Sequence, residues 1–263
     1  MRTAGVLAGA VMLLVALPGT AGAVVSLSAN TAVVTSTPDT YTFSTRLQYW
    51  SVVAVQPSAG ADFDLQVSDG AGAPLVGSYW GSGVTDFVAV NSTGGARPLG
   101  GYRAQVTHFS GTGVYDVMFW EKRVVFGVPT DPVGGVATAL GLQYGWPAAA
   151  YMIYLRQGQG FRVNESDYTQ VFLAGSTPGV PSTYVRSRSQ LANAYVIADN
   201  VPAANGAHCR VFQATSAGWY SLIIVFTGGY EPPPYNGGLA VFPQRYDPSQ
   251  GDTLTNCPVP QVP

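Results

Sequence analysis

Hydrophobic and polar residues alternate with a period of two along much of this chain, the pattern of strands with one dry and one wet face. Phe63, Leu65 and Val67 alternate with Asp62, Asp64, Gln66 and Ser68. Tyr102, Ala104 and Val106 alternate with Arg103, Gln105 and Thr107, and Tyr115, Val117 and Phe119 form a third apolar set. The pattern predicts further strands over 41–46, 50–56, 85–91, 151–156, 160–164, 168–174, 184–188, 194–199, 209–214 and 239–242. Tyr220, Leu222 and Ile224 mark another. Turn clusters separate these runs; Ser110-Gly111-Thr112-Gly113 predicts a hairpin turn into 114–120. No long segment has helical periodicity with caps, and Ala148-Ala149-Ala150 is the one helix-friendly patch. The expected fold class is all-β, built from antiparallel sheets.

The pattern is partly said twice. Asp62 and Asp167, Val106 and Val211, Gly113 and Gly218, and Tyr115 and Tyr220 are each 105 residues apart. This register predicts two copies of one β-rich unit, that is, two tandem antiparallel β-sandwiches. The Pro- and Gly-rich stretch 127–135 is the expected connector, between a first sandwich over 24–126 and a second over 136–263.

The N-terminus has the form of a secretory signal peptide over 1–23. Arg2 precedes an apolar run from Val6 to Pro18, and Ala21-Gly22-Ala23 fits a small-residue cleavage site, so the mature chain is expected to begin at Val24. No later apolar run reaches the roughly 20 residues of a membrane span. The expected location is secreted and extracellular. Cys209 and Cys257 are the two cysteines of an exported chain, and a disulfide between them is the default reading. Its loop of 48 residues would contribute about 4 kcal/mol in the chain-entropy model.

Charged residues make up 10% of the chain, Lys122 is the only lysine, and net charge is −2. With no basic cluster to neutralise phosphates, nucleic acid is not an expected partner. Weak charge repulsion leaves self-association open.

Four segments appear in order: Phe43, then Asp62-Phe63-Asp64-Leu65-Gln66-Val67, Gly101-Tyr102-Arg103-Ala104-Gln105-Val106 and Gly113-Val114-Tyr115-Asp116-Val117. Together they resemble the bacterial pre-peptidase C-terminal (PPC-like) domain. The resemblance implies a small jelly-roll-like β-sandwich of the kind found beside secreted proteases. It covers residues 38–120 well and 148–227 weakly, where Thr169 stands for the second Asp and Ala207-His208-Cys209 for the Gly-x-Tyr signature. No protease domain accompanies it, so the family's role as a protease accessory does not carry over.

Candidate chemistry is sparse. Asp62 and Asp64, two apart on a strand, project from one face. With Asp69 or Asp86 they can form an oxygen site for calcium; they read equally as the wet half of an amphipathic strand. His108 and His208 lack zinc-site spacing. There is no G-x-S-x-G elbow, and the expectation is a non-enzyme without a cofactor. Aromatics in Gly-rich loops are the best binding clue: Tyr79 and Trp80 in the first half, Tyr144 and Trp146 in the second. Flat rings on loops suit sugars or partner side chains, and they equally suit capping the ends of their own sandwiches. The expected function is a secreted, non-catalytic binding or accessory module for extracellular carbohydrate or protein. The alternative is a self-assembling extracellular structural or surface-layer subunit.

Overall fold

The computed structural model describes residues 23–31, 37–45, 50–92, 101–121, 140–142, 147–164, 169–175, 184–202, 208–227 and 239–254. The first half contributes β1 (Ala23–Thr31), β2 (Asp39–Phe43), β3 (Trp50–Pro57) and β4 (Ala61–Asp69). It continues with β5 (Pro74–Ser78), β6 (Asp86–Asn91), β7 (Tyr102–Gly111) and β8 (Tyr115–Glu121). The second half contributes β9 (Leu140–Leu142), β10 (Ala148–Leu155), β11 (Gly160–Asn164), β12 (Thr169–Gly175) and β13 (Tyr184–Ser187). After the one-turn helix α1 (Arg188–Leu191) come β14 (Val196–Pro202), β15 (His208–Gln213), β16 (Gly218–Phe226) and β17 (Leu239–Tyr246). The fold is all-β, and the strand pairs are antiparallel.

The described strands form four sheets: β1-β8-β3-β6-β13, β2-β7-β4-β5, β10-β16-β12 and β14-β15-β11-β17-β9. One core lies between the first two. Val53, Val55, Val88 and Val90 meet Phe63, Leu65, Val67 and Val106 there. The opposite face of β3 and β6 presents Trp50, Val52, Ala54, Phe87 and Ala89 to a second core. That core continues through β10, β12 and β16 to Phe161, Val163 and Phe212 of the fourth sheet. The first and third sheets are therefore covered on both faces. This explains β3, Trp-Ser-Val-Val-Ala-Val-Gln-Pro, in which every residue is buried: a strand between two layers has no wet side.

The same reason makes Ala148-Ala149-Ala150 a strand. These alanines open β10 and are all buried, and Ala150 accepts a 3.1 Å bond from the Trp120 indole across the first and third sheets. Small side chains there let two sheets approach. Helix propensity is a weak prior that such packing overrides.

Two observations bear on the doubled pattern. Val106 and Val211, on β7 and β15, and Tyr115 and Tyr220, on β8 and β16, are all fully buried. The Asp strand does not follow the same rule. β4 pairs with β7, whereas β12 pairs with β16 and it is β11 that pairs with β15. One strand also crosses from the second half into the first, because β13 pairs with β6 from Tyr184↔Asn91 to Ser187↔Val88. The connector 127–135 lies outside the described residues.

Residues 1–22 lie outside the described residues; β1 begins at Ala23, paired with Glu121 of β8. No helix among the described residues is long and apolar enough to cross a membrane, which says nothing about membrane β-barrels. Cys209 is buried on β15, no described cysteine is a free thiol, and Cys257 lies outside the described residues.

After β17 the chain makes a 3-10 turn, Pro248–Gln250, built on Asp247. The Asp247 carboxylate accepts from Ser249 Oγ at 2.6 Å, Gln159 Nε2 at 2.8 Å and Arg245 at 2.6 Å. Desolvation would raise its pKa, but these donors together outweigh it and hold the carboxyl down at about 2.

Candidate functional site

Three of the sequence-predicted candidates come together at one corner, where β5 ends and the chain passes from the second sheet to the first. β5 is the edge strand of its sheet. Leu75, at a bulge in its pairing with β4, is exposed. Ser78 faces inward opposite buried Leu65, and Gly77 stands opposite Gln66 on the outer face. Tyr79 folds back over Gly77: a Cβ there would collide with the Tyr79 hydroxyl oxygen and Cζ. One side of the ring thus rests on glycine backbone, yet the residue is 62% exposed. Only glycine permits this approach.

Trp80 turns the other way and is held from beneath. The Arg188 guanidinium stacks at 4.7 Å from the Trp80 ring and 5.8 Å from that of Phe172, the cation–π arrangement suited to a planar cation. Arg188 also donates to Thr85 O at 2.5 Å and to Gln170 Oε1 at 2.7 Å. It is placed by β13, the crossing strand, and by the turn of α1, where Gln190 Oε1 accepts from Ser187 N at 3.1 Å. Trp80 itself remains 38% exposed.

Below Trp80 lies Asp86, the first residue of β6 and 0% exposed. Its carboxylate accepts from Ser78 Oγ at 2.6 Å and from Trp80 N at 3.3 Å. Desolvation is the largest influence on it and Asp64 adds repulsion; Ser78, Trp80 N–H and Arg188 pull the other way. The balance leaves the carboxyl at about 7. Burial also lowers the pKa of Arg188, with Asp86 opposing. The corner therefore has a buried acid–base core beneath two exposed rings.

Asp62 and Asp64 lie on the outer face of β4, as their spacing predicts. Burial raises both carboxyls, the His108 charge opposing at Asp62 and the Asp62 charge adding at Asp64. Asp62 Oδ1 is buried and meets no hydrogen-bond donor among the described residues. Asp69 is taken by the β4–β5 turn, accepting from Ala73 N at 2.8 Å. Among the described residues no group of three or more His, Cys, Asp or Glu is placed to hold a metal ion. His108 Nε2 is engaged at 2.9 Å by Gly111 O. Tyr144 and Trp146 lie outside the described residues.

Arg188 was not singled out by the sequence, because it is far from Trp80 along the chain and no motif marks it. The signal that could have found it is the Ser187-Arg188-Ser189-Gln190 capping-box pattern, which puts an arginine at the first position of a helical turn.

No protein-family model matches the chain, and no curated protein is similar enough to it to count as a relative.

Proposed function

We propose that the protein is a secreted, non-catalytic binding module that recognises extracellular carbohydrate or protein through the Tyr79–Trp80 corner. The observation that carries this reading is the mounting of the two rings. Tyr79 rests on Gly77 and Trp80 on Arg188, and both present a side to solvent. Rings fixed before a ligand arrives lose little freedom on binding. The reading includes export through the 1–23 signal peptide, tandem jelly-roll-like sandwiches of the PPC-like kind, and a Cys209–Cys257 disulfide tying the C-terminal segment to β15.

The test is binding of the purified mature chain to arrays of glycans and extracellular matrix proteins, with and without calcium. A specific hit weakened by Trp80→Ala or Tyr79→Ala, in variants that still fold, supports the module. A blank on both arrays in both conditions overturns it.

A second reading, a self-assembling extracellular subunit, is favoured by β5, an edge strand among the described residues whose first two residues are exposed, since a sheet edge can template pairing between chains. Light scattering across a concentration series separates the two; a strict monomer at high concentration removes the second.

A further inference from the structure

Directly opposed residues of an antiparallel pair share a face of the sheet. Gly77 opposes Gln66, Gln66 opposes Gln105, and Gln105 opposes Thr40. Their neighbours Leu65, Val67, Ala104 and Val106 point into the core, so this row points outward. With the Tyr79 ring lying over Gly77, one line runs across all four strands of the second sheet: an aromatic ring, two primary amides and a hydroxyl. Three inter-strand intervals of about 4.8 Å make it roughly 14 Å long.

The row itself carries no charge. Asp64, opposite Thr107, stands on one side of it. Arg103, opposite Ser68 and Thr42, stands on the other, with its Nη1 reaching to 3.5 Å from where a Cβ on Gly72 would lie. The row also lacks the cluster of buried apolar anchors that a protein partner uses. A row of two amides and a hydroxyl ending in a ring, uncharged itself and flanked by one acid and one base, matches a pyranose chain. Such a chain has apolar C–H faces and hydroxyls around its rim. A row that crosses four strands suits an internal stretch of polymer rather than a single sugar.

We propose that the outer face of the β2-β7-β4-β5 sheet binds a neutral polysaccharide, laid across the strands along Tyr79, Gln66, Gln105 and Thr40. This rests on the binding-module reading above and gives it a ligand class and a binding direction.

The test is affinity electrophoresis of the purified mature chain in gels containing hydroxyethyl cellulose, xylan, galactomannan or soluble α-glucan, with polygalacturonate as the acidic comparison. The expected result is retardation by at least one neutral polymer and none by polygalacturonate. Tyr79→Ala, and separately the double variant Gln66→Ala with Gln105→Ala, should each weaken it about tenfold or more with an unchanged circular dichroism spectrum. Tyr154→Ala, which removes an exposed ring on β10 of another sheet, should leave retardation unchanged. Failure of every neutral polymer, binding of polygalacturonate alone, or retardation that survives both variants overturns the proposal. A matrix-protein hit sensitive to Trp80→Ala, with no polysaccharide binding, would overturn it while leaving the module reading intact.

Discussion

The Tyr79 ring occupies the space that a side chain at Gly77 would fill, so Tyr79 takes its place at this corner only because residue 77 is glycine. Gly77→Ala should cost little stability, since the displaced group is the far end of an exposed side chain and a surface substitution usually stays within about 0.5 kcal/mol. The ring must nevertheless swing away. The expected outcome is an unchanged unfolding midpoint with a changed near-ultraviolet tyrosine signal and weakened binding at the corner.

Arg188 joins the two halves of the chain, through Thr85 on one side and Gln170 on the other. Arg188→Ala should destabilise by about 2–3 kcal/mol, because it removes two hydrogen bonds to buried or half-buried partners together with the packing beneath Trp80. Arg188→Lys should recover little of this, since an ammonium cannot reproduce the planar fork under Trp80. Denaturant unfolding gives the first quantity. Acrylamide quenching, expected to rise as Trp80 loses its support, gives the second.

Asp86 sets a pH dependence of definite sign. Its folded pKa of about 7 lies above the ordinary carboxylate range, so the folded state holds the proton more tightly than the unfolded chain. The stabilisation is fully present below pH 4 and is lost as pH rises to about 7, with a total on the order of 2–4 kcal/mol. Asp86→Asn keeps an acceptor for Trp80 N–H and a partner for Ser78, and it should remove this slope. Urea midpoints measured from pH 4 to pH 8 for both proteins check it; parallel curves would contradict it.

Asp247 acts in the opposite sense. Its carboxyl is held at about 2, so its contribution is present above the unfolded pKa of about 4 and fades as pH falls towards 2. Asp247→Ala should loosen the segment 247–254 that packs on Gln159 and Arg162, at a cost of about 1–2 kcal/mol at pH 7. Limited proteolysis should cut the variant in this segment at pH 7, and the parent protein only near pH 2–3.

Period-two alternation sufficed to mark β4, β7, β8 and β16 as strands and to separate core from outer residues on β4 and β7, including Asp62 and Asp64 on one outer face; β8 and β16 are buried on both sides. Side-chain direction in a strand follows from local geometry alone, so it is written in consecutive residues. Tyr79 and Trp80 were legible for the same kind of reason: aromatic rings in a Gly/Ser-rich loop have no strand face to hide in. What tertiary structure decided is everything that depends on which strand lies beside which. The pairing of β12 with β16 rather than β15, the crossing of β13 to β6, the burial of Ala148-Ala149-Ala150 between sheets, and the meeting of Arg188 with Trp80 and Thr85 all join distant parts of the chain. So does the row from Tyr79 to Thr40. Strand pairing draws on backbone groups that every residue carries, and only the packing of whole layers selects among the pairings those groups allow.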